Sequence, residues 1–322
     1  MTHCRGCGAP LVPGGRFCGE CGAAVLDAGR PLDRSNSSPP GVLDGVLAGI
    51  GRLPYRDLLP LRAWWDDGAW RHGPAALFLL MALAPFGLLQ ATLNDPGVER
   101  AAVGFAVYFA VLWLVAIRQL VQPEPLGWLL FTAVVAFTTI AGVAIAVAIE
   151  EQVGASAETL LGSIFTVGLP EEAAKALALL IFLRLGSGRW APRTYLYAGA
   201  VSGLAFGAAE AVTYTSAYAS VFGLGDGGLV VTLWRLFCGG LFHACMAGIV
   251  GFFIGLAAWY TKVRLQLVGF GLVVAGVLHG LYDYLADGWG GTALAALTVF
   301  TFVGYVRMGD RIGARLAEQM HS

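Results

Sequence analysis

Long apolar blocks, separated by short clusters of charged, Gly and Pro residues, occupy most of this chain. A spanning helix needs about 20 mostly apolar residues, and eight such blocks can be drawn, near 74–93, 101–121, 127–149, 160–184, 195–222, 229–258, 267–286 and 291–307. The pattern predicts an all-α polytopic membrane protein of about eight transmembrane helices, with a membrane domain over 74–310 and a tail over 311–322. Upstream the pattern changes. Residues 51–73 set Arg52, Arg56, Arg62 and Arg71 beside Trp64, Trp65 and Trp70, the composition of a segment lying at a membrane interface. Residues 25–50, including PLDRSNSSPPG, have no apolar periodicity and read as a flexible linker. Residues 1–24 carry Cys4, Cys7, Cys18 and Cys21 as two CxxC pairs ten residues apart.

Composition agrees with the pattern: 57% of the 322 residues are hydrophobic, 13% are charged, and the mean hydropathy is +0.70. Net charge is −1, from 20 basic and 21 acidic residues, which leaves no basic surplus for a nucleic-acid surface. Nothing at the N-terminus resembles a cleavable signal. The loops fix an orientation, because Arg52 to Arg71, Arg118, Arg184, Arg189, Arg193, Lys262, Arg264, Arg307, Arg311 and Arg315 fall on one side. Asp95, Glu99, Glu150, Glu151, Asp226 and Asp287 fall on the other, with Arg100 the exception. By the positive-inside rule both termini are expected in the cytoplasm, at the plasma membrane. A reducing cytoplasm favours a structural zinc ribbon held by the four cysteines over two disulfides. The ribbon resembles short zinc ribbons found at the start of bacterial membrane proteins, and a cytosolic partner is expected for it.

Charge inside a span is costly, so each intramembrane ionisable residue marks a candidate site. The fourth expected span holds Glu171, Glu172 and Lys175, the fifth Glu210, the sixth His243, and the seventh His279 with Asp283. At about 1.5 Å rise per residue, Glu171, Glu210, His243 and His279 lie roughly 16 to 23 Å from the starts of their spans, near mid-membrane. Glu171 and Lys175 share a helix face, as do His279 and Asp283. Small residues, among them Gly207, Ala208, Gly239, Gly240, Ala244 and Gly280, surround them and allow close helix packing. Two imidazoles and two or three carboxylates at one depth are ligands expected for zinc or another divalent metal, with a glutamate as base. Lys175 would balance carboxylate charge. Taken one by one, His243 could be a packing residue, Glu172 with Lys175 a plain ion pair, and Asp283 a group orienting His279.

At these residues the chain resembles the PrsW family of intramembrane proteases, bacterial relatives of the CAAX prenyl proteases, over roughly 75–310. The family pattern EExxK, FxxxE and HxxxD appears as Glu171, Glu172 and Lys175, then Phe206 and Glu210, then His279 and Asp283. His243 takes the place of the family's additional histidine. The resemblance implies an intramembrane endopeptidase, described as a metalloprotease, that cleaves a membrane-anchored protein within the lipid bilayer. Glu171, Glu172 and Lys175 would be catalytic; Glu210, His243, His279 and Asp283 would form the membrane metal site. Which glutamate is the base stays open.

Other chemistries fit less well. GLGD at 223–226 and the YD pair at 282–283 look like halves of an aspartyl protease, but Asp226 falls in a glycine-rich outer loop, and that mechanism needs two carboxyls at one site. No HExxH or GxSxG occurs. The alternative from a different class is an ion- or proton-coupled transporter that relays protons through the same Glu, His, Lys and Asp groups. Inverted repeats would favour it, and none is visible.

Overall fold

A computed structural model describes residues 98–183, 190–222, 226–286 and 289–321, with the single residues 3, 81 and 83. The expected zinc ribbon with Cys4, Cys7, Cys18 and Cys21, the linker, the interfacial segment and all but two residues of the first expected span lie outside the described residues. Seven long helices follow: α1 Val98–Val121, α2 Trp128–Val153, α3 Leu169–Phe182, α4 Pro192–Phe222, α5 Asp226–Trp259, α6 Arg264–Tyr284 and α7 Trp289–His321.

Among the described residues, six stretches are long and apolar enough to cross a membrane: Val103–Val121, Trp128–Val153, Pro192–Thr213, Phe237–Trp259, Thr261–Tyr284 and Trp289–Gly313. The chain is a multi-pass membrane protein, and these six coincide with six of the eight expected spans. The expected span at 160–184 is also helical, running through Leu160–Gly162, Ser163–Gly168 and α3. Its Glu171, Glu172 and Lys175 are three charges within a single turn and a half, too many for a freestanding apolar span. That helix depends on its neighbours to shield those charges.

Burial separates centre from periphery. In α5, 94% of the most apolar stretch is buried, against 17% in α1. A helix apolar on all sides belongs in a core, and α5 carries Ala244, Cys245, Met246, Ile249, Phe253 and Leu256 at 0% exposure. On α1, Val103, Val107, Val111 and Val115 form an exposed stripe at four-residue spacing, the lipid-facing side. Exposed Trp128 and Trp289 open α2 and α7, as suits the membrane interface.

Lipid tails are as apolar as leucine, so burial alone does not drive α4 onto α5; close backbone approach and dispersion do. Gly199, Gly203 and Gly207 repeat every fourth residue along α4 and lie on α5. A Cβ at Gly199 would strike the Ala247 carbonyl, and one at Gly203 the His243 carbonyl; at Gly207 it would come within 2.8 Å of the His243 ring. From α5, Gly251 lies equally tightly on the Tyr195 carbonyl. The seam sets the distance between Glu210 on α4 and His243 on α5.

Two π turns lie beside the site. Thr138–Gly142 interrupts α2, and Ser163–Gly168 leads into α3. The second has a cause in the sequence: Pro170 has no N–H to give to the Thr166 carbonyl and its ring crowds that carbonyl, so the preceding turn widens. There Gly168 meets the backbone of Gly276 and Gly280, which brings α3 and α6 together at the level of His279.

Substituting Gly203→Ala should separate α4 from α5 and cost about 1–3 kcal/mol, because the obstacle is backbone. Gly104→Ala on α1, where a Cβ meets nothing within 4 Å, should leave stability unchanged or raised by up to ~1 kcal/mol. Thermal unfolding of both purified variants in one detergent checks the contrast; equal melting temperatures would contradict the seam.

Candidate active site

Seven ionisable side chains from four helices meet here: Glu171, Glu172 and Lys175 from α3, Glu210 from α4, His243 from α5, and His279 and Asp283 from α6. All seven were singled out by the sequence, and the structure brings them into one connected network.

Lys175 is its centre. The residue is fully buried, and Nζ donates to Glu172 Oε1 at 2.7 Å, to Glu171 Oε2 at 3.1 Å and to His243 Nδ1 at 2.8 Å. The ammonium also sits 4.3 Å from the centroid of the Phe206 ring, where the negative ring face adds attraction. An ammonium has three hydrogens and no lone pair. His243 Nδ1 therefore accepts, which makes His243 the tautomer protonated on Nε2. That Nε2–H points at Glu210 Oε2, 2.6 Å away.

His279 is fixed from the other side. Its Nδ1 lies 3.0 Å from Glu172 Oε1; a carboxylate only accepts, so Nδ1–H donates and Nε2 is directed elsewhere. Nε2 lies 3.6 Å from both Glu171 Oε2 and Asp283 Oδ2. The two imidazole rings stand nearly edge to face, with centroids 5.1 Å apart.

The adjacent glutamates thus differ. Glu172 is fully buried, and its Oε1 is shared by Lys175 and His279. Glu171 is 6% exposed, and its Oε2 is the point on which Lys175 Nζ, His279 Nε2 and, at 3.9 Å, His243 Nδ1 converge. Glu210 and Asp283 form the open rim, with side chains about a quarter exposed.

A polar chain holds Lys175 from behind. Ser202 Oγ donates to the Lys175 carbonyl at 3.1 Å, so the hydroxyl hydrogen of Thr138, 2.8 Å from Ser202 Oγ, closes the link from the π turn of α2. Sequence reading missed Thr138 and Ser202, since single hydroxyls in apolar helices carry no motif. It also placed Glu150 in an outer loop, whereas Glu150 lies on α2 within electrostatic reach of Glu171, Glu210, His279 and Lys175.

Among the described residues, Glu171, His243 and His279 are the group able to hold a metal ion, with one ligand atom from each within 4.8 Å of the others. One carboxylate and two imidazoles, all buried, suit zinc or a similar divalent ion. Glu172 on His279 Nδ1 and Glu210 on His243 are the outer carboxylates that commonly orient ligating histidines. Lys175 is a rival cation, since it already holds Glu171 Oε2 and His243 Nδ1.

Paired carboxylates, two imidazoles and a lysine thus meet among membrane-spanning helices, a set of groups suited to hydrolytic chemistry. The model of the PrsW family intramembrane metalloprotease matches residues 124–308, more than half of the chain. The chain belongs to this family and is an enzyme of the intramembrane protease type. No curated protein and no solved structure matches it.

Replacing Lys175 with Met removes the cation and leaves two carboxylates facing each other in a dry interior. The loss should reach about 3–5 kcal/mol, the usual cost of breaking a buried pair by removing one partner. Adding Glu172→Gln should restore part of it. Thermal unfolding of the single and double variants measures the difference; no rescue in the double variant would contradict the shared role of Glu172.

Proposed function

We propose that Glu171 is the base of a peptide-bond hydrolysis carried out on a membrane-anchored protein, and that Glu172 positions rather than reacts. The observation that carries this reading is the convergence of Lys175, His243 and His279 on one oxygen of Glu171, while Glu172 is sealed beneath. A water at the open rim gives a proton to Glu171 as its oxygen attacks the scissile carbonyl carbon. Glu171 then returns that proton to the departing amide nitrogen, so that a carboxylic acid and an amine leave, and the amine takes up the acid's proton. Lys175 holds the Glu171 carboxylate in place through its Nζ contact and is itself tied in place by Glu172, Ser202 and Phe206. In exchange for the Lys175 contact, His243 Nδ1 would join His279 Nε2 and Glu171 in holding a divalent ion, which would supply Lewis-acid polarisation of the carbonyl and of the water. Glu210 orients the His243 ring from the rim, and Glu172 orients His279 from beneath.

The same reading includes eight crossings with both termini in the cytoplasm at the plasma membrane, and a structural zinc on Cys4, Cys7, Cys18 and Cys21 that serves a cytosolic partner. Family membership favours proteolysis over proton-coupled transport through the same groups.

With a membrane-anchored test substrate in proteoliposomes, Glu171→Gln should lose at least about 100-fold in cleavage rate at an unchanged melting temperature. Glu172→Gln should lower the melting temperature and retain measurable cleavage. Metal analysis should find two bound ions per chain, one lost in His243→Ala with His279→Ala and the other in Cys18→Ala with Cys21→Ala. Cleavage by Glu171→Gln at the wild-type rate would remove the assignment of the base. Metal confined to the cysteine site would remove the membrane ion and leave the water to Glu171 alone.

A further inference from the structure

A second polar site lies at the arginine-rich ends of the helices. There α1, α4, α5 and α7 enclose a cavity of about 300 Å³, lined by Gln119, Gln122, Arg193, Tyr305, Arg307 and Asp310 over the ring of Phe252. It is separate from the active site: on α4, Arg193 precedes Glu210 by 17 residues, about 25 Å along the helix.

The lining is rich in donors. Two guanidiniums and one carboxylate leave a formal charge of +1, and the glutamine amides and the Tyr305 phenol add neutral donors. Arg193, Arg307 and Asp310 each engage partners within the protein, which holds the charged groups in position. Tyr305 gives an independent indication. The residue is 1% exposed, wedged against Phe252 and Phe253, and its hydroxyl has no hydrogen-bond partner. A buried hydroxyl without an acceptor is unfavourable, and an anion in the cavity would supply one.

The backbone is shaped at the same place. Gln122, at φ 49°, is the one non-glycine residue with positive φ among the described residues. Its N–H closes α1 on the Arg118 carbonyl at 2.9 Å, and the chain turns aside there. Gly309 lets α7 approach Phe252, where a Cβ would come within 2.9 Å of the ring.

We propose that this cavity binds a phosphodiester anion, the headgroup of an anionic phospholipid. A phosphodiester carries one negative charge and several acceptor oxygens, matching the lining in both respects. Basic pockets between membrane helices at headgroup level suit such ligands, and guanidinium pairs with phosphate in a forked geometry. The proposal rests on the membrane placement of the helices and not on the catalytic roles, and its test involves no proteolysis.

The full chain in phosphatidylcholine nanodiscs, with and without phosphatidylglycerol, is followed by thermal unfolding and by native mass spectrometry of retained lipid. Wild type should melt higher with phosphatidylglycerol and retain one molecule of it. Arg193→Gln with Arg307→Gln should weaken that retention about tenfold or more, and Tyr305→Phe should weaken it several-fold while melting like wild type in phosphatidylcholine alone. If the double variant fails to fold, Tyr305→Phe carries the test. A stabilisation reproduced by soluble glycerophosphoglycerol in phosphatidylcholine nanodiscs would support the anion chemistry and overturn the lipid as its source. Equal phosphatidylglycerol retention by wild type and Tyr305→Phe, or no preference for it, would overturn the proposal.

Discussion

A lysine ammonium is stable in a dry helix bundle only if all its hydrogens find acceptors, and at Lys175 the three acceptors are Glu171, Glu172 and His243. Few arrangements satisfy that requirement. Both glutamates have to precede the lysine on one face of α3, and a ring nitrogen has to arrive from another helix with its lone pair exposed. The ammonium thereby selects the His243 tautomer and joins α3 to α5. Through Glu172 it also bears on the ring of His279.

That geometry depends in turn on backbones that come unusually close. Along α4, glycines at every fourth position let the Ala247 and His243 carbonyls of α5 press against the helix. Pro170 forces a wide turn just before Glu171, and Gly168 uses that turn to meet α6. Small residues are therefore as necessary to the chemistry as the ionisable ones. A methyl group on the seam moves His243 relative to Glu210, and a hydrogen bond of 2.6 Å does not tolerate such a shift.

Much of this was legible in the sequence, for physical reasons. Charge in a membrane helix is too costly to be incidental, so Glu171, Glu172, Lys175, Glu210, His243, His279 and Asp283 stood out against an apolar background. Helix rise placed four of them at a common depth, and they do meet. The difference between the two glutamates was not legible, because adjacent residues share a motif while their burial depends on which neighbour covers each. Thr138 and Ser202 escaped because a hydroxyl in an apolar helix usually bonds within its own helix, as Thr298 and Thr301 do here. The Glu150–Glu151 pair ends an apolar run and so suggests a loop, although α2 continues to Val153. The Arg193 and Arg307 cavity joins residues more than a hundred positions apart, and only the packing of α4 against α7 reveals it.

A charged Lys175 that donates to His243 fixes where the proton on that ring resides. Nitrogen-15 NMR of the histidine side chains reads that proton in the metal-free full-length protein at neutral pH, with His243 assigned by its substitution. His243 should show a bare Nδ1 and a protonated Nε2. A proton on Nδ1 would mean that Lys175 does not donate there, and the network built around it would have to be discarded.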